Sequence, residues 1–266
     1  MLSVIGTAIF LYGLMLLALF TFQRRILFVP SRSRPDLSAS GLEGFRVVET
    51  RTEDGLVLEG WWHPPADGKP SFLYFQGNGG HIGMRADKAA MLVDLGFGVL
   101  LAGYRGYGGN PGSPTEAGLA LDAQAWAARV TDLGVAPDSL VLYGESLGSG
   151  VVTRLALGQP ARAVVLEAPY TAISDIAAAR YWFLPVRALV LDRFDTRAII
   201  AEVSAPVLIV HGSEDRLISL SHGEAVFAAA KAPKRLEVID GAGHTDLFQK
   251  GAVPRITEFV LTPPRA

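Results

Sequence analysis

The 266-residue chain contains no cysteine. Disulfides, thiolate catalysis, cysteine-ligated zinc and iron–sulfur clusters are therefore excluded. Nor is there a surplus of charge of either sign: 24 Lys and Arg against 26 Asp and Glu leave a net of −2. No nucleic-acid partner is expected, because such binders show a basic face. The sequence holds no G-x-G-x-x-G or Walker motif, so no nucleotide cofactor is expected. His63, His81, His211 and His222 lack metal-ligand spacing and no H-E-x-x-H occurs, so no metal is expected either. There are no internal repeats and no low-complexity tracts.

Apolar residues are what the chain has in excess: 50% of it is hydrophobic and the mean hydropathy is +0.30. The excess sits at the start. Residues 1–22 carry no charged side chain and 17 of the 22 are apolar. As a helix they would run about 33 Å, against a bilayer core of about 30 Å. Gln23, Arg24 and Arg25 end the run. A cleaved signal peptide needs a basic leading region and a small-residue cleavage site, and both are missing. Residues 1–22 are thus expected to anchor the protein in a lipid bilayer as a single-pass helix. Positive charge on the C-terminal flank alone places the rest in the cytoplasm.

Residues 23–44, rich in Ser, Arg, Pro and Gly, read as a linker. From 45 onward short apolar runs alternate with longer amphipathic ones. Residues 45–50 and 56–62 suggest a hairpin around Glu53-Asp54-Gly55. Runs at 71–75, 97–102, 139–143, 163–167, 206–210 and 235–239 read as strands buried on both faces. Helices are expected near 84–95, 115–133, 147–158, 219–230 and 246–259. The alternation implies an α/β fold, a mostly parallel sheet covered by helices on both faces, over residues 45–266. Residues 170–201 break it and read as a small helical cap.

In such sheets the reactive residues collect at the carboxyl ends of the strands. Directly after 139–143 comes Gly144-Glu145-Ser146-Leu147-Gly148, a G-x-S-x-G turn between a strand and a helix. That turn exposes a serine oxygen at the sheet edge. A serine needs a base, and the base an orienting acid. Asp215 follows the strand at 206–210 and His244 follows that at 235–239, giving the order Ser…Asp…His expected of this turn. Taken singly, Asp215 could be a helix cap and His244 a loop histidine. The three together, each past a strand end, mark Ser146, Asp215 and His244 as catalytic. An oxyanion needs two backbone donors. Leu147 N–H is one. The loop 76–81, Gln-Gly-Asn-Gly-Gly-His, supplies the other, with Asn78 N–H the best choice. Glu145 reads as a spacer in the turn, Glu167 as a paired structural carboxylate, His211 as a strand terminator and His222 as an exposed helix residue.

These motifs carry a resemblance. Phe-Gln-Arg-Arg-Ile-Leu-Phe-Val-Pro at 22–30, Gln-Gly-Asn-Gly-Gly at 76–80, Tyr-Arg-Gly-Tyr-Gly at 104–108, the serine turn, Pro-Val-Leu-Ile-Val-His-Gly-Ser-Glu-Asp at 206–215 and Gly-Ala-Gly-His at 241–244 resemble the α/β-hydrolases. They look like the membrane-anchored branch that includes bud-emergence-type hydrolases and protein depalmitoylases. Gln76 stands where that family usually has His, and could still hold the loop by hydrogen bonding. The resemblance implies a serine hydrolase acting on a carboxylic ester or thioester with an apolar acyl group. In the cap, Tyr181, Trp182, Phe183 and Leu184 read either as core packing under the cap or as an acyl-chain wall or a patch that dips into the bilayer. Two other readings stay open: an aminopeptidase-like serine hydrolase, and a non-enzymatic scaffold that keeps an unused triad.

Overall fold

The computed structural model describes residues 2–231 and 233–264. Helix α1 covers Leu2–Leu27, five residues beyond the apolar run. Arg24 and Arg25 are good helix formers and continue it. The segment expected to be a linker is bound to the body. Phe28 is buried, and β1 (Val29–Pro30) pairs in parallel with β5 (Gly79–Gly80).

The hairpin β2 (Arg46–Arg51) and β3 (Val57–His63) leads into an eight-stranded sheet. The remaining strands are β4 (Ser71–Phe75), β6 (Gly98–Ala102), β7 (Leu140–Glu145), β8 (Ala163–Glu167), β9 (Val207–Gly212) and β10 (Lys234–Ile239). Their order is β10-β9-β8-β7-β4-β6-β3-β2, parallel from β10 to β6 and antiparallel at the β2–β3–β6 end. β4, β6, β7, β8 and β9 are buried along their whole length, as unbroken apolar runs require. β10 differs from expectation. It is the sheet's edge, only half-buried, and its Arg235 and Glu237 pair with each other and with Glu258 and Arg255 on the neighbouring helix.

Successive side chains feed two cores. Leu73, Phe75 and Leu142 face the helices α3 (Glu116–Asp132), α4 (Leu147–Leu155) and α8 (Leu220–Ala229). Phe72, Tyr74 and Tyr143 face α2 (Ala86–Asp94) and α9 (Val253–Leu261). The cap between β8 and β9 is made of α5 (Ile173–Arg180), α6 (Val186–Leu189) and α7 (Thr196–Ile199).

From β4 the chain first moves outward to β6, then returns to place β7 on β4's other side. The carboxyl ends of β4 and β7 thus flank the topological switch point, where open α/β sheets bind ligands. Loop 76–78 and Ser146 follow those two ends.

Candidate active site

Ser146 has φ 51° and ψ −115°, a strained conformation for a residue with a side chain. Two features hold it there. Its N–H donates to the Glu167 carbonyl at 2.8 Å, which ties the turn to β8. On the other side α4 packs directly on β4: a side chain at Gly148 would collide with the carbonyl oxygen of Phe75. The turn therefore needs glycine at that point, and Ser146 sits at the N-terminus of α4.

The structure brings Ser146, His244 and Asp215 together. The Ser146 hydroxyl lies 3.0 Å from His244 Nε2, and His244 Nδ1 lies 2.7 Å from Asp215 Oδ2. Serine can donate to Nε2 only if the imidazole proton is on Nδ1, where Asp215 accepts it. Asp215 Oδ1 in turn accepts from Leu217 N–H (2.9 Å) and Ile218 N–H (2.8 Å). Burial pushes the Asp215 carboxyl up, but hydrogen bonding from His211, from His244 and from Ile218 N–H outweighs it and holds the group below the usual carboxylate range. Asp215 is an anion whose geometry is fixed from three sides.

His211, read from sequence only as a strand terminator, is part of this assembly. Its ring is buried, Nε2–H donates to the Ile218 carbonyl at 2.8 Å, and the same nitrogen is 3.5 Å from Asp215 Oδ2. The sequence signal was its position, four residues before Asp215 at the end of a buried strand. Gly212, next to it, lets the acid and base loops touch, since a side chain there would overlap the carbonyl oxygens of Ala242 and Gly243.

Beneath the turn lies a second polar group that the sequence reading did not assemble. Glu145 and Glu167 are register neighbours on β7 and β8. Lys88 reaches both, at 3.2 and 2.6 Å, and Arg85 adds a bond of 2.9 Å to Glu145. Tyr74 donates to Glu145 and Tyr143 to Glu167. Two cations thus balance two carboxylates, as buried charges require. Burial works to raise the Glu145 carboxyl, and the charges of Lys88 and Arg85 overcome that and bring it down to about 2. Glu145 is therefore more than a spacer, while Glu167 is paired as expected.

Leu147 is the first residue of α4, so its N–H has no acceptor within the helix. Asn78 lies in the loop after β4, with its side chain turned to the N-terminal segment. Its Oδ1 accepts from Val29 N–H (3.2 Å) and Tyr107 OH (2.9 Å), and its Nδ2 donates to the Leu27 carbonyl. The loop is held by these bonds and by Tyr104 OH, which donates to the Gln76 carbonyl at 3.1 Å. The Gln76 side chain does not hold it: the amide is buried and neither of its polar atoms is hydrogen-bonded. His222 differs from expectation as well. It is half-buried and its Nδ1 contacts the Thr171 hydroxyl at 2.9 Å.

The four cap residues lie elsewhere. Tyr181, Trp182 and Phe183 are exposed in the turn between α5 and α6. Trp182 and Leu184 line a cavity with Asp175 and Val186 that includes no triad residue. Among the described residues, no group of three or more His, Asp or Glu could hold a metal ion.

The chain is similar to several known proteins. A family model described as serine aminopeptidase, S33, matches residues 67–198. The uncharacterized protein Rv2307c of Mycobacterium tuberculosis is 42% identical over 229 residues, 84% of this chain and 81% of its own. Alpha/beta hydrolase domain-containing protein 17B of Homo sapiens is 35% identical over 159 residues, 59% of this chain and 54% of its own. Among solved structures, an esterase of Pyrococcus furiosus superposes with a TM-score of 0.68 at 20% identity, covering 88% of this chain and 97% of its own. With the sheet order, the strained serine turn and these relatives together, the chain belongs to the α/β-hydrolase superfamily and is a hydrolase by family.

Proposed function

We propose that the protein is a membrane-anchored serine hydrolase that cleaves carboxylic esters or thioesters with apolar acyl groups. The observation that carries this is the continuous Ser146–His244–Asp215 hydrogen-bond chain at the switch point of the sheet. His244 Nε2 takes the Ser146 proton as Oγ attacks the acyl carbonyl. The imidazolium is stabilised by Asp215, whose carboxylate cannot drift because Leu217 and Ile218 N–H hold its other oxygen. The N–H groups of Leu147 and Asn78 receive the oxyanion. His244 returns the proton to the leaving alcohol or thiol, and a water activated by the same nitrogen then releases the acyl group.

Helix α1 supports the anchored form: residues 4–27 are long and apolar enough to cross a membrane and their most apolar stretch is unburied. On this reading the catalytic domain is cytoplasmic, and the motif at 22–30 supports kinship with the bud-emergence-type branch.

The family description favours a second reading, an aminopeptidase. A free α-ammonium group needs an unpaired carboxylate at the site. Glu145 and Glu167, the acids beside the serine turn, are already neutralised by Arg85 and Lys88. Steady-state hydrolysis of p-nitrophenyl acyl esters beside aminoacyl anilides separates the two. The ester reading expects turnover of the esters and the matching thioesters alone. Faster cleavage of the anilides would replace it with the peptidase.

A further inference from the structure

Helix α1 and the cap meet along one line. Tyr12 donates to the Phe183 carbonyl (3.1 Å), Gln23 binds the Leu189 carbonyl (3.2 Å) and the Leu191 N–H (2.8 Å), and Arg24 pairs with Asp192 (2.8 Å). Tyr12, Leu16, Leu19, Gln23 and Leu27 recur at steps of three or four, one face of a helix, and the last four are half-buried.

The spacing has a consequence for depth. Tyr12 lies 11 residues before Gln23, about 16 Å along a helix. Half a hydrocarbon core is about 15 Å. With Gln23, Arg24 and Arg25 at headgroup level, Phe183 is deep within the leaflet. A cap held in water would instead draw residues 12–27 of the helix out with it. Residues 2–11 would remain, about 15 Å, half of what a span needs. A spanning α1 and a cap wholly in water exclude each other.

The side chains are those of a lipid-facing surface. Trp182 is 84% exposed, Phe183 53%, Leu191 51% and Tyr181 43%, and Leu14, Leu17 and Phe22 on α1 are exposed too. Hydrocarbon penalises an unpaired carbonyl by several kcal/mol, and Tyr12 gives that of Phe183 a donor. Arg187 pairs with Asp175, and its carbonyl accepts from Arg193, the neighbour of Asp192. That places its long side chain within reach of the headgroups.

We propose that residues 181–191 enter the same bilayer leaflet as α1 and lie along it, so that the protein meets lipid through the cap as well as the anchor. This rests on α1 being a membrane helix, as in the function proposed above. It also bears on substrate. Leu27 and Val29, where α1 leaves the lipid, hold Asn78 in the loop beside Ser146. The mouth of the site therefore opens at the membrane surface, and an acyl chain reaches it from within the leaflet.

Trp61, Trp62 and Trp126 are 3%, 3% and 0% exposed, so Trp182 is the tryptophan that lipid can reach. The test is fluorescence of the full-length protein in phosphatidylcholine nanodiscs whose acyl chains carry bromine near their middle, beside a set with a headgroup-level quencher. The expected result is loss of emission with the acyl-chain bromines, absent in Trp182→Phe. Equal quenching of both proteins, or quenching at headgroup level alone, overturns the proposal. Fluorophosphonate labelling of Ser146 in the same nanodiscs reads the hydrolase function separately. Labelling without deep quenching removes the inserted cap and leaves the hydrolase. Quenching without labelling does the reverse. Protein that alkaline carbonate strips from vesicles overturns the anchor and the inserted cap together.

Discussion

Ser146 stands between two polar assemblies of opposite character. On one side, His244 and Asp215 form a chain of hydrogen bonds that ends in a single carboxylate. Neutral imidazole can take the serine proton on Nε2 while its Nδ1–H stays hydrogen-bonded to the Asp215 carboxylate. On the other side, Arg85, Lys88, Glu145 and Glu167 form a neutral cluster of fixed charges closed by two tyrosine hydroxyls. Burial first, then the neighbouring glutamates, push the Tyr74 and Tyr143 hydroxyls well above their ordinary range, so they remain donors. The first assembly can carry chemistry. The second positions it, since the Glu167 backbone carbonyl holds the Ser146 N–H.

Substitutions on the two sides should therefore fail differently. Asp215→Asn favours the wrong imidazole tautomer, and ester hydrolysis by the folded protein should fall about 10⁴-fold. A modest loss of rate would mean that His244 is not oriented through Asp215. Lys88→Met leaves two buried carboxylates short of a cation. Stability to urea should drop by about 3–5 kcal/mol, and the surviving folded fraction should still label with an acylating probe. A drop within experimental error would show the cluster to be solvated in solution. The smallest effect tests the join between the two halves of the molecule. Asn78→Ala keeps the backbone donor but cuts the ties to Leu27, Val29 and Tyr107, and kcat/KM should fall about tenfold, roughly 1.4 kcal/mol. An unchanged value would show that the N-terminal segment does not hold the oxyanion loop.

The sequence made legible what depends on local order. The buried strands lie within about two residues of where their apolar runs put them, because full burial needs unbroken apolar residues. Ser146, Asp215 and His244 could be singled out because each follows the end of a strand, in a fixed order. β10 was misread as buried, since its alternating Arg235 and Glu237 are an edge pattern. The charge cluster was hidden because Lys88 meets Glu145 and Glu167 across 57 and 79 residues, and one sequence carries no sign of that pairing. The same holds for β1, whose partner lies 50 residues on by register, Val29 to Gly79. Aromatic residues at 181–183 read equally as core, lid or membrane surface. Their exposure excludes the core, and the Tyr12 contact supports the membrane surface proposed above.

The central claim is that Ser146 is an activated nucleophile, and fluorophosphonate labelling of the full-length protein in detergent beside Ser146→Ala tests it most directly. The account predicts covalent labelling of the wild-type protein and none of the variant. A folded wild-type protein that stays unlabelled, or a variant that labels equally, would contradict it.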